Sequence, residues 1–483
     1  MKHGLLAFIC IFSFVASISA QDVYVNTQPP SNTASAKAFG QRFADGFLDR
    51  RHHHQRDTNS GEPFAQYDLT WLNGNDRRHE ALLATKYFTG SAMLDINYTA
   101  SDHHPIDNTV VGSTALARNN EIELSLAAFG GEFNYHNVRA KLMLQFGTRT
   151  TLVPRNDASW NRGQGDLKTA YRYLSEAYAG YHFNAMKGIN LDAGLFMSYI
   201  GMNSYYNAEN WVYQPSFTSD NTPWFFNGLR LQMFPTTRIK VEVWVINGWQ
   251  SYGKFNSMPG LGCQFLWSPK EYIRVVTNDY FGTDVANNPK AFRFHSDNSF
   301  QVRLFNKPEG KVSKEAISLA ADLGFQKGGD MGGFGLLSSS PQSNFLSVMV
   351  YHRLWFGRDH FAWTVGGGAM HNPGRYLVLA PGGDADPNIN PQTGQTVGTH
   401  PYSLNPGDPF DGWDVSTNVD WMPNELITFR LEVVHREASV PYFAGHGGVT
   451  SPDGYNGTTV PASWMPDLVR QETRFIAALL VRF

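Results

Sequence analysis

Gln471-Glu472-Thr473-Arg474-Phe475-Ile476-Ala477-Ala478-Leu479-Leu480-Val481-Arg482-Phe483 ends the chain, and its reading decides the fold. From Phe475 onward the odd positions Phe475, Ala477, Leu479, Val481 and Phe483 are all apolar. The even positions carry Glu472, Arg474 and Arg482, with Ile476, Ala478 and Leu480 between them. Side chains on a strand alternate faces, so one face is oily and the other mixed and charged. A strand of a transmembrane barrel needs that division, with lipid on one side and an aqueous lumen on the other. The edge strand of a soluble sandwich would alternate in the same way. This stretch alone leaves both readings open.

The preceding chain separates them. From Ser91 the alternation recurs: Ala92, Leu94, Ile96 and Tyr98 oppose Met93, Asp95 and Asn97. The clearest cases are Ile239, Val241, Val243 and Val245 against Arg238, Lys240, Glu242 and Trp244, and Trp413, Val415, Val419 and Trp421 against Asp414, Ser416, Asn418 and Asp420. Short turns near Asn184–Lys187, Pro235–Thr236, Ser268–Pro269, Gly357–Asp359 and Met422–Asn424 interleave with long Gly/Pro/Asn/Asp-rich loops near 100–120, 149–170, 200–223, 327–343, 371–411 and 438–470. An all-β, up-and-down antiparallel transmembrane barrel sorts its connections this way, with short periplasmic turns and long extracellular loops. Greek-key sandwiches have no reason to. The count is about sixteen strands, or eighteen if the ambiguous stretches Tyr67–Leu72 and Ala81–Phe88 form an extra hairpin rather than helix or plug. Parity does not arbitrate, since both numbers are even. Closure is expected between 471–483 and a first strand at Ser91–Thr99. Aromatics suggest two interfacial belts, Phe183, Phe234, Trp267, Trp355, Phe356, Trp421 and Phe483 at the short-turn ends and Trp211, Trp224, Phe225, Trp249 and Tyr252 at the long-loop ends.

Composition agrees. Only 17% of the 483 residues are charged and 14% are aromatic, which suits β structure in a membrane. A net charge of −3 gives no basic footprint for nucleic acid, so none is expected as a partner. Cys10 and Cys263 are the only cysteines, which rules out a disulfide framework or a Cys-based zinc site within one mature chain. Lys2 and His3, the apolar run Leu5–Val15 and the small residues of 16–20 read as a secretory signal peptide over 1–20, cleaved after Ala20, although Ile18 at the −3 position departs from the usual small residue. Beyond Ala20 no run of about 18 apolar residues could form a transmembrane helix. Residues 21–90 read as an N-terminal periplasmic or plug-like segment, and 91–483 as the barrel. The triplet His52-His53-His54 reads as a solvated tail, and no metal or other cofactor is expected.

Mid-chain, Ser175-Glu176-Ala177-Tyr178-Ala179-Gly180-Tyr181 leads to Leu191-Asp192-Ala193-Gly194-Leu195-Phe196-Met197-Ser198-Tyr199-Ile200-Gly201. Glu209-Asn210-Trp211, Thr222-Pro223-Trp224-Phe225-Phe226-Asn227-Gly228 and Val245-Ile246-Asn247-Gly248-Trp249-Gln250 follow, with Leu144-Gln145-Phe146-Gly147-Thr148 upstream. In this order and spacing, from about Phe88 to Phe483, the chain resembles β-barrel porin family 2, the OmpL-like porins. The resemblance implies a channel of poorly defined substrate range in the outer membrane of a Gram-negative bacterium, in contact with its lipid bilayer; several porins of this size trimerise, which leaves a homotrimer as an open alternative, since nothing in the sequence demonstrates an interface. A C-terminal strand ending on Phe resembles the signal such barrels present to the barrel-assembly machinery, carried here by Phe475, Leu479, Val481 and Phe483.

Candidate lumen-lining residues come from the polar faces: Glu123, Arg139, Lys141, Glu176, Asp192, Arg230, Lys240, Glu242, Arg274, Arg303, Asp414, Asp420, Arg430 and Glu432. Opposed acidic and basic rows would set up a transverse field that orients polar solutes, whereas a single-sign ring selects by charge. An aqueous wall must be polar somewhere, so the ordinary reading of any one of them is solvated wall. His295 and Asp297 share one face of Arg293–Ser299, where a hydrogen-bonded structural patch is favoured over a solute contact. The chain has no Gly-x-Ser-x-Gly, His-Glu-x-x-His or Walker-type loop, and no enzyme is expected. The leading function is passive diffusion of small hydrophilic solutes, with an inward-folded loop, 200–223 or 371–411, as constriction. The alternatives are a binding or adhesion barrel blocked by 21–90 and, behind it, a membrane-embedded hydrolase. Mass analysis of the mature protein should give Gln21 as its first residue; an intact leader would contradict the export reading.

Overall fold

The computed structural model describes residues 61–154, 157, 163–254, 256–284, 289–327, 344–373, 388–389, 396–397, 410–461 and 463–483. The leader, the histidine triplet and most of the 371–411 loop lie outside the described residues. Sixteen long strands form a closed antiparallel barrel. They are β1 Phe88–Ser101, β2 Ile122–Tyr135, β3 Val138–Phe146, β4 Leu174–Phe183, β5 Ile189–Met197, β6 Phe225–Thr236, β7 Ile239–Ile246 and β8 Gly260–Lys270. The second half is β9 Ile273–Gly282, β10 Phe292–Asn306, β11 Val312–Lys327, β12 Asn344–Phe356, β13 Phe361–Asn372, β14 Phe410–Asn424, β15 Ile427–Ala438 and β16 Gln471–Arg482. Each pairs with its neighbours in sequence, and β16 pairs with β1 from Met93↔Arg482 to Ser101↔Arg474. Ala92 and Phe483 exchange backbone hydrogen bonds at 3.1 and 2.8 Å. Past the end of β16, the two-residue bridge Leu83–Ala84 continues the ladder against Gly90 and Thr89.

Burial follows the period of two. Along β14, Trp413, Val415, Val419 and Trp421 are exposed while Asp414, Ser416, Asn418 and Asp420 are buried. The exposed set forms an apolar outer band suited to lipid, and the buried polar set faces inward. Connections alternate strictly. Short turns 136–137, 184–188, 237–238, 271–272, 307–311, 357–360 and 425–426 lie at one end. The strand ends joined by the longer connections 102–121, 147–173, 198–224, 247–259, 283–291, 328–343, 373–409 and 439–470 lie at the other. Three turns fall a few residues later than the sequence placed them, because the strands carry bulges at Met233/Thr236, Ile273/Val275 and Trp421/Asn424.

The count of sixteen holds over the alternative of eighteen: the Tyr67–Phe88 region supplies no extra hairpin, Tyr67–Leu72 lies outside any strand, and before β1 only Leu83–Ala84 joins the sheet. The expected aromatic belts are corrected. The proposed long-loop belt is not at a lipid interface: Trp211, Trp224, Phe225, Trp249 and Tyr252 are all buried. Trp355 is buried too, edge-on to Trp211 at 5.5 Å.

Trp211 and Trp224 belong to the segment that organises the interior. Residues 198–224 fold into the ring and are held by its wall. The Glu432 carboxylate of β15 accepts from the Tyr213 amide and, at 2.9 Å, from the Gln214 amide. Asp414 of β14 accepts from Ser216 Oγ and the Phe217 amide at 2.8 and 2.9 Å. Asp95 of β1 accepts from Tyr213 Oη at 2.6 Å and Asn207 Nδ2 at 2.9 Å. Arg353 and Arg430 donate to the carbonyls of Trp211 and Asn210 at 3.1 and 2.8 Å, and both bind Asp420. Arg436 pairs with Asp220 at 2.9 Å, and Arg474 reaches Gln214 at 2.8 Å. Close approach needs inward glycines: a Cβ on Gly262 would sit 1.8 Å from Tyr199 Oη, and one on Gly368 2.4 Å from Ser216 Oγ.

From Phe64 to His79 the chain crosses the short-turn end. The Phe64 amide bonds Thr237 O, Tyr67 Oη bonds Pro269 O, and Trp71 Nε1 bonds Glu271 O. At the far side Arg77 Nη2 reaches Asn424 O and Ile427 O at 2.8 and 2.7 Å, and His79 contacts Glu425. Although burial favours its neutral form, the hydrogen bonds and charges of Arg78 and Arg482 hold the Asp76 carboxyl below its ordinary value.

Replacing Asp420 with Ala leaves two buried guanidiniums without their shared counter-charge. The variant should lose about 3–5 kcal/mol of stability in denaturant unfolding. Glu309→Ala, at an exposed pair with Arg358, should change it negligibly. Equal losses in the two variants would contradict the pinning role.

Candidate functional site: the interior passage

Between the in-folded segment and the wall of β4–β10 lies a polar cavity of about 300 Å³. One side is backbone-rich and neutral, formed by Leu72, Asn73, Gly74 and Asn75 with Ser198, Tyr199, Gly201 and Met202. The other side is the barrel wall, where Glu176, Arg230, Gln232, Lys240, Glu242, Gln264, Arg274, Asn278 and Gln301 face inward.

Register brings these side chains together. Asp192 stands opposite Arg230 across β5 and β6, and Gln232 opposite Glu242 across β6 and β7. Arg230 bonds one Asp192 oxygen at 2.8 and 3.2 Å, while Arg139 approaches the other at 3.3 Å. The Arg230 guanidinium also lies 4.5 Å from the Phe196 ring and 4.8 Å from the Tyr178 ring. Lys141 pairs with Glu176 at 2.9 Å, and Lys240 with Glu242 at 2.8 Å. Glu242 also takes Gln232 Nε2 and Trp244 Nε1 at 2.7 and 2.9 Å. Arg274 donates to Ser268 Oγ at 3.2 Å and lies 5.6 Å from the Phe64 ring. Farther round, Gln264 joins Tyr199 O to Asn278, and Asn278 donates to Asp297. Opposite charges therefore sit side by side on one wall, rather than facing each other across the opening in the rows the sequence suggested.

The candidates read from the sequence divide into three sets, with Glu123 and Arg303 outside all of them. Glu176, Arg230, Lys240, Glu242 and Arg274 border the cavity, with Arg139, Lys141 and Asp192 in the adjoining ion pairs. Asp414, Asp420, Arg430 and Glu432 are buried and hold the in-folded segment. His295 and Asp297 are buried in the wall, His295 against Asp322 at 3.2 Å. Glu123 accepts the Ala117 and Arg118 amides and Thr148 Oγ1 beside the long loops, and Arg303 pairs with Glu271 beside the 271–272 turn.

Sequence reading missed Asp95, Tyr213, Asp220, Arg353 and Arg474 in the holding set. Asp95 and Arg474 were legible as inward positions by parity. Tyr213 and Asp220 sit in a loop, where no period marks them. Among the described residues no cluster of His, Cys, Asp and Glu is arranged to hold a metal ion, and the cavity wall offers charge and hydrogen bonding along a wet surface.

The chain is similar in structure to Pseudomonas putida OprB (13% identity, TM-score 0.46, covering 82% of this chain and 94% of that one). It is also similar to the outer membrane channel DcaP of Acinetobacter baumannii (9%, 0.44, 85% and 100%) and to OmpT, an outer membrane protein of Vibrio cholerae (9%, 0.44, 84% and 100%). No curated protein matches it in sequence. The family model described as Putative beta-barrel porin-2, OmpL-like, matches residues 87–483, from the last residue before β1 to the C-terminal Phe, so the chain belongs to that family.

Proposed function

We propose that the protein is a passive channel of the Gram-negative outer membrane for small hydrophilic solutes, which pass between the in-folded segment and the β4–β10 wall. The observation that carries this is the polar cavity at that place, lined by charged and amide side chains inside a lipid-compatible ring. A barrel of about sixteen strands is too wide for its inward side chains to fill, so the interior holds water or chain. Here 198–224 occupies part of it and leaves the rest wet. Solutes would exchange their hydration for Gln, Asn, Arg and Lys side chains along the wall, and no bond to the solute is made or broken. In this reading the short turns face the periplasm, and the Phe483 strand is the part presented to the assembly machinery.

A second reading has one observation behind it. The Phe64–His79 stretch crosses the short-turn end and is bonded on both sides, which favours a blocked binding barrel if it stays in place. Liposomes carrying the full mature protein should swell in small sugars. A sealed bilayer, with swelling only after residues 21–82 are deleted, would favour the blocked barrel instead.

A further inference from the structure

We propose that this passage selects for small anions bearing carboxylate or phosphate groups. The inference rests on the channel reading and adds the class of solute. Five charged residues border the cavity, Glu176, Arg230, Lys240, Glu242 and Arg274. In three ion pairs at or beside the cavity the cation is the more exposed partner, whereas Glu132 of the Lys141–Glu132 pair is more exposed than its lysine. Side-chain exposure is 12% for Arg230 against 0% for Asp192, 19% for Lys240 against 2% for Glu242, and 22% for Lys141 against 9% for Glu176.

The acids are occupied from behind. Asp192 is taken by Arg230 and Arg139, and Glu242 by Lys240, Gln232 Nε2 and Trp244 Nε1. Arg274 adds a cation that makes no ion pair among the described residues; its contacts are Ser268 Oγ and the Phe64 ring. Across the cavity, Leu72–Asn75 and Ser198–Met202 carry no charge, so no acidic row cancels the field. A surface on which one sign is in excess and better exposed raises the local concentration of opposite ions and repels like ones. Lysine and arginine donors match carboxylate and phosphate oxygens.

The test is the reversal potential of the full mature protein in a planar bilayer under a potassium chloride gradient. The potential should take the sign of chloride permeation and shrink toward zero as total salt is raised, because fixed charge is screened within a shorter distance. In liposomes, potassium succinate and potassium phosphate should each enter faster than a neutral sugar of similar size, and comparing the two salts tells carboxylate preference from phosphate preference. The triple variant Arg230→Gln, Lys240→Gln, Arg274→Gln should bring the chloride-to-potassium permeability ratio toward one or below, whatever its conductance. A conducting wild-type channel with a potassium preference, or one with no preference at low salt, overturns this proposal and leaves the channel reading intact. Absence of conductance removes both. The salt series needs no substitution, so the outcome does not depend on the variant folding.

Discussion

Everything in this molecule depends on the ring closing on itself. Within hydrocarbon no water is available to backbone amides and carbonyls, so each strand must find two neighbours. The pairing of β16 with β1 meets that demand, and the reciprocal Ala92–Phe483 bonds finish it at the last residue of the chain. Where β16 runs out, Leu83–Ala84 takes over the free edge of β1. Closure at this strand number also creates the interior problem, because side chains alone cannot fill so wide a ring. The polar inner face must then serve two masters, water in some places and chain in others.

The same chemistry handles both. On β12–β16, arginine–carboxylate pairs are dry: Arg353 and Arg430 share Asp420, Arg436 holds Asp220, and Arg474 holds Glu472. Stripping water from such pairs costs several kcal/mol per ion, and the attraction between partners offsets it only when the remaining donors are also satisfied. Here the in-folded segment supplies the carbonyls of Trp211 and Asn210 to Arg353 and Arg430. On β3–β7 the in-folded segment makes fewer contacts with the pairs, Tyr206 Oη to Glu176 among them, and in Arg230–Asp192, Lys240–Glu242 and Lys141–Glu176 the cation is the more exposed partner. Position relative to 198–224, rather than residue type, separates a charge buried against chain from one that borders the cavity.

This explains what the sequence could convey. The wall was legible because each strand states its two faces locally, with a period of two; the barrel and a closing pair followed from that, the count stayed between sixteen and eighteen, and the family came from the order and spacing of the mid-chain motifs. Trp355 was legible too, since it shares the parity of buried Arg353 in β12, yet its place near a turn suggested a lipid belt. The interior was not legible. Glu432 and Tyr213 are 219 positions apart, and nothing near either one announces the other. Gly262 and Gly368 look like ordinary strand glycines until Tyr199 and Ser216 are seen against them. Which loop folds inward is a matter of long-range complementarity, and parity is lost in any long loop.

The strap at the short-turn end and the in-folded segment are best understood as one body. Their holds on the wall differ in kind. The strap is tied chiefly to turn carbonyls, at Thr237, Pro269, Glu271, Asn424 and Ile427, whereas the segment relies mainly on wall side chains. They meet at Glu209–Trp211. The Gly74 amide bonds Glu209 O, the Trp211 amide bonds Asn73 Oδ1, and Trp211 Nε1 bonds Trp71 O. Arg482, one residue from the chain end, reaches both Asp76 of the strap and Glu209 of the segment. Displacing the strap would therefore strip Trp211 of two hydrogen bonds and alter the neutral side of the cavity, because Leu72–Asn75 form part of it. The cavity is bounded jointly by a piece of chain preceding the first strand and a loop between the fifth and sixth, with the closing strand as the post to which both are tied.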